Sequence, residues 1–210
     1  NLFGSDYLRD KYLKKLSTGE MLGSFSLTEP GAGSDPVSQK TKAVRDGDCY
    51  IINGNKMFIT TGKNSHLTVA TAYTDPDKKH RGISAFVVEK GTPGFSVGKE
   101  EKKMGLRASD TVELIFEDCR VPAENLLGQE GDGFLIAMTS LDGGRIGISS
   151  QSLGVAQACL DAAVGYAKER VQFGKAISNF QGLRWMIADM ATQIEAARLL
   201  TFNAAAMRDR

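Results

Sequence analysis

The most informative stretch of this 210-residue sequence is Leu27-Thr28-Glu29-Pro30-Gly31-Ala32-Gly33-Ser34-Asp35. It supplies a hydroxyl and then two glycines, whose backbone N–H groups suit an anionic or carbonyl-bearing ligand. A second segment, Lys56-Met57-Phe58-Ile59-Thr60, follows 21 residues later and alternates as a strand does, with an aromatic ring and a hydroxyl at its end. A lone Gly-x-Gly is weak evidence because most are ordinary turns. Two ordered segments at this spacing predict a binding site.

The composition excludes several classes of protein. Hydrophobic residues make up 41% and charged residues 24%, as is ordinary for a soluble globular chain. The net charge of +1 gives no footprint for nucleic acid or an anionic membrane, and no run of 18 apolar residues predicts a membrane span. Cys49, Cys119 and Cys159 lack a Cys-x-x-Cys pair, and His66 and His80 lack metal-ligand spacing. We therefore expect free thiols in a reduced compartment and no metal site.

The first residues predict one short helix. Ser5 and Asp6 can cap a helix over residues 5–16. One face of that helix would carry Leu8, Tyr12, Leu13 and Leu16.

From about residue 22 to residue 128 the pattern becomes one of strands and turns. Asp46-Gly47 and Asn53-Gly54 are hairpin signals. Residues 83–88 form a short apolar run rich in branched side chains, and an apolar alternation continues at Val112, Leu114 and Phe116. These features predict an antiparallel β domain, either a small barrel or a sandwich.

The period then changes to that of helices. A long helix is predicted from about residue 131 to 168, with the apolar stripe Leu153, Ala156, Leu160, Ala163 and Ala167. After breaks at residues 174–175 and 178–179, a second helix is predicted over about 180–208, with the stripe Leu183, Ile187, Met190, Ile194 and Ala197. A short loop between long helices predicts an antiparallel hairpin. Two helices cannot cover both stripes, so further helices are needed from other chain segments or from another subunit. The fold class is therefore α+β.

Two further motifs complete a resemblance to a known family. They are Asp142-Gly143-Gly144-Arg145, inside the first long helix, and Arg170-Val171-Gln172-Phe173-Gly174-Lys175, between the two helices. Together with the first two segments they resemble the acyl-CoA dehydrogenase family, and the likeness covers essentially the whole chain. Through Leu141–Ile148 and Arg170–Lys175 it is most similar to the short-chain and short/branched-chain members.

The resemblance implies a domain organisation. Residues 1–21 would end an N-terminal helical domain, residues 22–129 would form the middle β domain, and residues 130–210 would begin the C-terminal helical domain, which is of the four-helix-bundle type. The chain would thus represent the middle of a longer enzyme.

The resemblance also implies bound FAD. A flavin needs a flat apolar wall, hydrogen bonds at its ring and neutralisation of its pyrophosphate. Phe58 could supply the wall, Thr60 on the same strand face a donor at N5, and Thr28 a contact at the pyrimidine edge. Taken singly, these residues also fit a core aromatic, a strand filler and a turn. The full set of implied contacts in this region is Phe25, Leu27, Thr28, Gly33, Ser34, Phe58, Ile59 and Thr60. Position 58 is often Trp in the family, and Thr61 stands where Asn is common.

Three residues near the second helix are implied to reach a neighbouring subunit. In the family, the residues that match Arg170, Phe173 and Gln181 contact the adenine dinucleotide half of a neighbour's FAD. A guanidinium forks well onto pyrophosphate, and a phenyl ring packs on adenine or ribose. The alternative is a helix-capping Arg and a buried Phe. The resemblance therefore implies a homo-oligomer, most simply a tetramer.

The implied substrate contacts are Ser34, Phe134, Met138, Asp142 and Arg145. Two consecutive glycines inside a helix cost roughly 2 kcal/mol, so Gly143 and Gly144 need a packing or ligand reason. Asp142 and Arg145 would contact coenzyme A, or else form a solvated pair. Phe134 and Met138 would line the acyl cavity, or else pack in the core. Residues 107, 109 and 111 (Arg, Ser and Thr) match the family near the active cleft.

The implied reaction needs a carboxylate base to remove an α-proton while the β-hydride goes to the flavin. In most of the family this base is a Glu in a Tyr-Glu-Gly context, which this sequence lacks. A minority carry it one residue before Arg145, where this chain has Gly144. We therefore assign no catalytic residue. Glu29 is expected to fix the glycine loop rather than to reach a thioester.

The expected function is α,β-dehydrogenation of a short straight or branched acyl-CoA to the 2-enoyl-CoA, with electrons passed to an electron-transferring flavoprotein. Two alternatives are an acyl-CoA oxidase and a non-catalytic scaffold that binds flavin or coenzyme A. The chain starts at Asn1 and not at Met, so the lack of a targeting segment does not define a compartment. We expect the cytoplasm in a bacterium or the mitochondrial matrix in a eukaryote.

Overall fold

The computed structural model describes residues 2–209, which fall into two compact units. The first unit ends at Met138 and the second begins at Thr139. Asn1 and Arg210, the outermost residues of the first and last predicted segments, lie outside the described residues.

The first unit is built on one eight-stranded sheet. Its strands are β1 (Gly23–Ser26), β2 (Lys42–Asp46), β3 (Cys49–Thr60), β4 (Leu67–Tyr73), β5 (Ile83–Glu89), β6 (Phe95–Glu100), β7 (Thr111–Pro122) and β8 (Leu126–Leu127). The strand order is β6-β7-β3-β2-β4-β5-β8, and β1 pairs with β4. The predicted β domain is confirmed, but the sheet is mixed, because β1 and the start of β2 run parallel to β4. The intervening β2–β3 hairpin separates β1 from β4 in sequence, so no tight turn forces them antiparallel.

Most of the core lies on one face of this sheet, and a smaller cluster around Leu8, Tyr12, Leu67 and Val87 lies on the other. The predicted alternation on β7 is confirmed, and the apolar run of β5 is buried along nearly its whole length. Burial of each large apolar side chain stabilises the folded state by about 1.5–3 kcal/mol relative to leaving that side chain exposed. The largest members of the core are Tyr50, Ile52, Phe86, Val88, Val112, Leu114, Phe116 and Val121.

One of the two predicted hairpins is confirmed and the other is wrong. Asp46 pairs with Cys49 across a two-residue turn in which Gly47 has a φ of 63°. Strand β3 continues through Asn53-Gly54 without turning. Gly54 has a φ of 149°, and a Cβ there would stand 2.3 Å from the Thr41 hydroxyl oxygen. Close approach of two chain segments, not a turn, therefore explains this glycine.

The N-terminal helix is confirmed with one change. Short helices α1 (Asp6–Leu8) and α2 (Lys14–Thr18) flank a π-helical segment, Arg9–Leu13. The Ser5 hydroxyl accepts from the Leu8 N–H at 3.3 Å, as expected of a cap. Leu8 and Tyr12 pack on the sheet with Leu16. Leu13, predicted on the same face, is 36% exposed, because the packed face follows the four-residue steps from Leu8 to Tyr12 to Leu16 and Leu13 lies at its edge.

The second unit consists mainly of two long helices. Helix α3 (Gly133–Glu169) starts in the last residues of the first unit, and helix α4 (Gln181–Arg208) follows a small hairpin of β9 (Val171–Gln172) and β10 (Lys175–Ala176). The helices run antiparallel, as predicted. The Arg198 guanidinium donates to Gln157 at 2.6 Å, and the Arg208 guanidinium lies beside Gly143.

These two helices leave much apolar surface uncovered within the described residues. Leu153, Leu160 and Ala167 of the predicted α3 stripe are buried. The α4 stripe is covered less than predicted, since Met190 and Ala197 are exposed. Other exposed apolar side chains of the unit are Leu141, Ile148, Val155, Tyr166, Val171, Phe173, Trp185, Met186, Leu199, Leu200, Phe202 and Met207. Neither long helix is apolar enough over its length to cross a membrane.

Candidate functional site

The site is created by a gap in the sheet. Strand β1 pairs with Leu67–Ala70 of β4, and β2 meets the same edge of β4 only at Tyr73. Residues 27–41, here called the gap loop, leave β1 and return as β2. Strand β3 pairs with β2 only as far as Asn53, so its second half faces the gap loop. The Met57 N–H donates to the Thr28 carbonyl at 2.8 Å, which joins the loop to β3.

The gap loop is ordered by short local turns. The backbones of Glu29 and Ala32 exchange two hydrogen bonds, at 3.0 and 3.1 Å, around the Pro30-Gly31 turn. Gly33 and Ser34 are exposed, and within residues 2–209 no acceptor binds either N–H group. Gly33 does not have a positive φ. Two unpaired backbone donors are therefore available to a ligand at this loop.

Lys56 holds the gap loop from inside the sheet. The Lys56 side chain is fully buried, and the three N–H donors of its ammonium group lie within hydrogen-bond distance of four oxygens. These are Glu29 Oε1 at 2.8 Å, Gln39 Oε1 at 2.9 Å, the Leu27 carbonyl at 3.2 Å and Thr71 Oγ1 at 3.2 Å. A buried ammonium requires such partners, because an unpaired charge away from water is very costly.

The same ion pair determines the role of Glu29. Its carboxylate also accepts the backbone N–H groups of Lys40 and Thr41. Burial lowers the pKa of Lys56 to about 8, although Glu29 opposes this. Burial acts to raise the pKa of Glu29, but Lys56 and the N–H donors outweigh it, so that the pKa is lowered. Both groups are charged at neutral pH. Glu29 fixes the loop, as predicted, and is not free to act as a base.

Phe58 presents an aromatic ring to solvent from a strained backbone. Its φ is 59°, an unusual value for a bulky residue, and 59% of its surface is exposed. The register of β3 against β7 shifts between Lys56 and Ile59, and this bulge turns Phe58 outward. Ile59 is buried in the core, so only its backbone can meet a ligand, whereas Thr60 is exposed. The alternative that Phe58 is a core aromatic is wrong.

These features fit a flat, polar-edged ring with an anionic tail. The exposed face of Phe58 provides an apolar wall, and among the described residues no group binds the hydroxyls of Thr28, Ser34 or Thr60. Phe25 and Leu27 are half-buried beside the gap loop. Residues in sparsely populated backbone conformations persist only where the surrounding structure maintains them, and such residues cluster at functional sites. The chain therefore carries donors and a stacking surface of the kind a flavin requires.

A separate cleft of the first unit contains Phe134 and Met138. Its volume is about 520 Å³, and both residues are half-buried, so they line a cleft and are not plain core. The structure adds His80, whose ring lies 5.6 Å from that of Phe134, and Arg81. Neither residue carries a signal in the sequence, since His80 lacks metal-ligand spacing and Arg81 lies in no recognised motif. His80 and Arg81 reach this cleft because two distant segments of the chain are in close contact. A Cβ on Gly131 would stand only 2.4 Å from the Arg81 carbonyl oxygen.

Arg107, Ser109 and Thr111 lie elsewhere on the first unit. The Arg107 guanidinium donates to the Lys103 carbonyl at 3.2 Å, and the Lys103 ammonium donates to the Ser109 carbonyl. Thr111 is buried in β7. Arg107 and Ser109 line a shallow charged cleft that contains none of the predicted cofactor or substrate residues.

In the second unit, Asp142 and Arg145 form an exposed ion pair with each other on α3. The structure therefore shows the solvated ion pair, which was one of the two alternatives for these residues. Both side chains remain accessible to a ligand. A Cβ on Gly143 would stand 2.4 Å from the Arg208 guanidinium, but this is the end of a flexible, exposed side chain that can move aside, so packing does not require glycine here. Packing does not require glycine at position 144 either, because among the described residues nothing lies within 4 Å of its Cβ position.

The hairpin between the long helices presents Phe173 at its tip. Phe173 and Gly174 have φ values of 51° and 76°, as a type I′ turn requires, and Phe173 is 92% exposed. Arg170 and Gln181 are also exposed, and the part of the chain that the structure describes offers neither side chain a hydrogen-bond partner. The alternative of a buried Phe is therefore wrong, and no capping bond supports the alternative for Arg170.

Comparison with protein-family models gives two matches. The model described as "Acyl-CoA dehydrogenase, middle domain" matches residues 24–119, and "Acyl-CoA dehydrogenase, C-terminal domain" matches residues 131–210. The two matches together cover most of the chain.

Individual relatives give the same family. The chain is 52% identical to the short-chain specific acyl-CoA dehydrogenase of Clostridium acetobutylicum over 99% of this chain and 55% of the relative. It is 53% identical to the acryloyl-CoA reductase (NADH) of Anaerotignum propionicum, over 99% and 53%. A chain solved in work on the electron transferring flavoprotein of Acidaminococcus fermentans is 56% identical with a TM-score of 0.95, over 99% and 55%. The chain thus spans about half the length of the relatives it matches.

The buried ammonium of Lys56 generates a prediction about pH. Its pKa is about 8 in the folded protein and near 10.5 when unfolded, so the unfolded state binds more protons between these values. The unfolding free energy of the wild type should therefore rise from pH 8 to 10.5 relative to that of Lys56→Met. Urea denaturation over this pH range measures the difference. Lys102→Met, which removes an exposed lysine, is the control. A difference in unfolding free energy between the wild type and Lys56→Met that does not change with pH would contradict the prediction.

Proposed function

This chain belongs to the acyl-CoA dehydrogenase family, and we propose that it forms the middle part of an FAD-dependent enzyme that dehydrogenates short acyl-CoA thioesters. Residues 22–129 would be the middle β domain, with residues 1–21 ending a helical domain before it and residues 130–210 beginning the C-terminal one. The observation that carries this proposal is the pairing of the gap loop with Phe58, an exposed aromatic held at positive φ.

When bound, FAD would supply the acceptor for a hydride from the substrate β-carbon. The ring of Phe58 would cover one face of the flavin, and the Thr60 hydroxyl would donate at its reactive edge. Thr28 would contact the pyrimidine edge from the gap loop. The free N–H groups of Gly33 and Ser34 suit an anionic part of the cofactor.

The acyl-CoA would enter along the cleft that contains Phe134 and Met138. This cleft combines apolar side chains with the guanidinium of Arg81, which can bind a phosphate or carbonyl oxygen. Ser34 is a further candidate contact, and Asp142 and Arg145 on α3 would bind the coenzyme A arm. The preference for a short acyl chain is supported by the similarity to a short-chain specific dehydrogenase.

The roles proposed for this chain are binding and orientation. Removal of the α-proton needs a base, and we assign that role to no described residue. The Glu29 carboxylate pairs with Lys56 and accepts two backbone N–H groups, so it is not free to take a proton. Position 144, where some family members carry the base, is glycine. Among the described residues nothing lies within 4 Å of the Cβ position of Gly144, so a side chain would fit there.

We further propose an electron-transferring flavoprotein as the redox partner. The 56% identical chain comes from a study of such a protein, which supports this partner. A second candidate activity is the reverse reaction, reduction of a 2-enoyl-CoA, because a relative of 53% identity is named a reductase. The residues that bind flavin and thioester are the same in both directions. We place the protein in the cytoplasm of a bacterium or in the mitochondrial matrix of a eukaryote.

The exposed residues of the second unit support a homotetramer. The side chains of Arg170 and Gln181 have no hydrogen-bond partner among the described residues. Phe173 meets only the edge of Phe180, at 6.1 Å between ring centroids, and remains 92% exposed. All three are therefore accessible to another chain. We propose that they bind the adenine dinucleotide half of a neighbouring subunit's FAD. The exposed apolar surface of α3 and α4 is consistent with burial in such an assembly.

The proposed wall for the flavin predicts a separation of binding from stability. Phe58→Ala should weaken FAD binding by about tenfold, because a stacked aromatic contact is lost. The unfolding midpoint of the apoprotein should hardly move, since the ring is exposed. Phe58→Trp, which keeps an aromatic wall, should retain affinity. Flavin fluorescence titration gives the dissociation constant, and unchanged FAD affinity in Phe58→Ala would remove Phe58 from the site.

The proposed activity predicts a substrate order. With the complete protein under anaerobic conditions, butyryl-CoA or 2-methylbutyryl-CoA should bleach the flavin with a higher kcat/KM than palmitoyl-CoA. Crotonyl-CoA should reoxidise the reduced flavin if the reductive direction operates. Rapid reoxidation by oxygen would instead favour an oxidase, and no bleaching by any thioester would favour a non-catalytic scaffold. A preference for palmitoyl-CoA would overturn the short-chain assignment.

The proposed assembly predicts that Arg170→Ala weakens FAD binding. Loss of a hydrogen bond to a charged group costs about 1.5–3 kcal/mol, which is roughly 10- to 100-fold in affinity. Lys168→Ala, which removes an exposed charge near the end of the same helix, is the matched control. Light scattering of the wild type should give a tetramer. A monomer with FAD fully bound would contradict the cross-subunit contact.

A further inference from the structure

We propose that Lys56 is a positioning residue for the flavin, which it serves by tying the gap loop to the strand that carries Phe58 and Thr60. Through this one side chain, the two segments that meet the flavin would be held in a fixed relation to each other. The inference rests on the proposed function, because it assumes that these segments contact FAD.

The hydrogen bonds surround Thr28 on both sides. The Lys56 ammonium donates to the carbonyl of Leu27, the residue before Thr28, at 3.2 Å. It donates to the carboxylate of Glu29, the residue after Thr28, at 2.8 Å. The carbonyl of Thr28 itself accepts the N–H of Met57 at 2.8 Å. Three consecutive residues of the loop are thus bonded to two consecutive residues of β3.

Strand β3 carries this constraint directly to the exposed ring. Phe58 follows Met57, and Ile59 anchors the next position in the core. The bulge at these residues sets the direction of the Phe58 side chain. A shift of the gap loop against β3 would therefore move Thr28 with respect to both Phe58 and Thr60.

The other end of the gap loop is fixed by the same cluster. Gln39 accepts from the Lys56 ammonium at 2.9 Å and from the Thr71 hydroxyl, also at 2.9 Å. Thr71 lies on β4, and the Glu29 carboxylate binds the N–H of Thr41 at 3.1 Å. The cluster therefore joins both ends of the loop to two strands, across the gap between β1 and β2.

A contribution to folding stability alone does not account for this arrangement. Desolvation of two buried charges largely offsets their attraction, so an apolar pair of similar shape is often as stable. The charged groups instead determine the geometry of the loop, because each of their hydrogen bonds fixes the position of a particular loop atom. The two effects can be separated by experiment.

The test compares Glu29→Gln, Lys56→Met and the double variant. Each single change leaves one buried charge unpaired, so both single variants should lose stability. The double variant removes both charges at nearly constant volume and should recover the unfolding midpoint of the apoprotein. Its FAD dissociation constant should nevertheless remain about tenfold or more above that of the wild type, because the bonds to Leu27 and from Glu29 are lost. The visible absorption band of its bound flavin should also lose fine structure, as the ring environment becomes less defined.

The matched control is the exposed ion pair of Lys63 and Glu100 in the same unit. Lys63→Met with Glu100→Gln removes the same two charge types and should leave FAD affinity unchanged. Thr71→Val provides a variant that keeps both buried charges and the side-chain shape, should the double variant not fold. It should weaken FAD binding about threefold through the loss of one hydrogen bond.

The outcomes distinguish this inference from the proposed function. A double variant that recovers both stability and FAD affinity, or a Thr71→Val protein with unchanged affinity, would overturn the positioning role. Failure of the wild-type protein to bind FAD would instead refute the proposed function, whatever the variants do.

Discussion

The ammonium group of Lys56 has no access to water, and this constraint organises the functional edge of the sheet. An unpaired charge in this position would be very costly, so the chain must bring oxygens to it. Glu29 and Gln39 come from the two ends of the gap loop, and Thr71 comes from β4. The gap between β1 and β2 is thereby closed by a defined set of hydrogen bonds, and a loop that is exposed at Gly33 and Ser34 still has a fixed base.

A second constraint is backbone strain at exposed aromatic residues. Phe58 and Phe173 both have φ near 50–60°, and both rings are exposed. Neither the transfer of apolar surface from water nor local backbone preference favours these positions. In Phe58 the surrounding bulge of β3 maintains the conformation, and in Phe173 the two-residue hairpin does so. Both residues lie in segments for which we propose contact with FAD, and cofactor binding would account for their exposure.

Much of the architecture could be predicted because it depends on local periodicity. The two long helices, the hairpin at Asp46-Gly47 and the buried alternation of β7 follow from spacing along the chain. The predictions failed where distant segments meet. Asn53-Gly54 has the composition of a turn, but its glycine is required by close approach to Thr41. The parallel pairing of β1 with β4 likewise leaves no signal in either strand.

The sequence by itself determined the family, the order of β and helical segments, and the residue types that could meet a flavin. Motifs and periodicity are properties of neighbouring residues, so they can be recognised without coordinates. Only the tertiary structure decided that Lys56 is buried, that Glu29 is its partner, and that Arg81 joins Phe134 and Met138 at one cleft. Burial and ion pairing depend on which distant segments come together. The alternation of β3 places Lys56 on the same face as the buried residues Tyr50 and Ile52, but a lysine is ordinarily assigned to solvent. Only the oxygens that distant segments bring to its ammonium group allow this lysine to be buried.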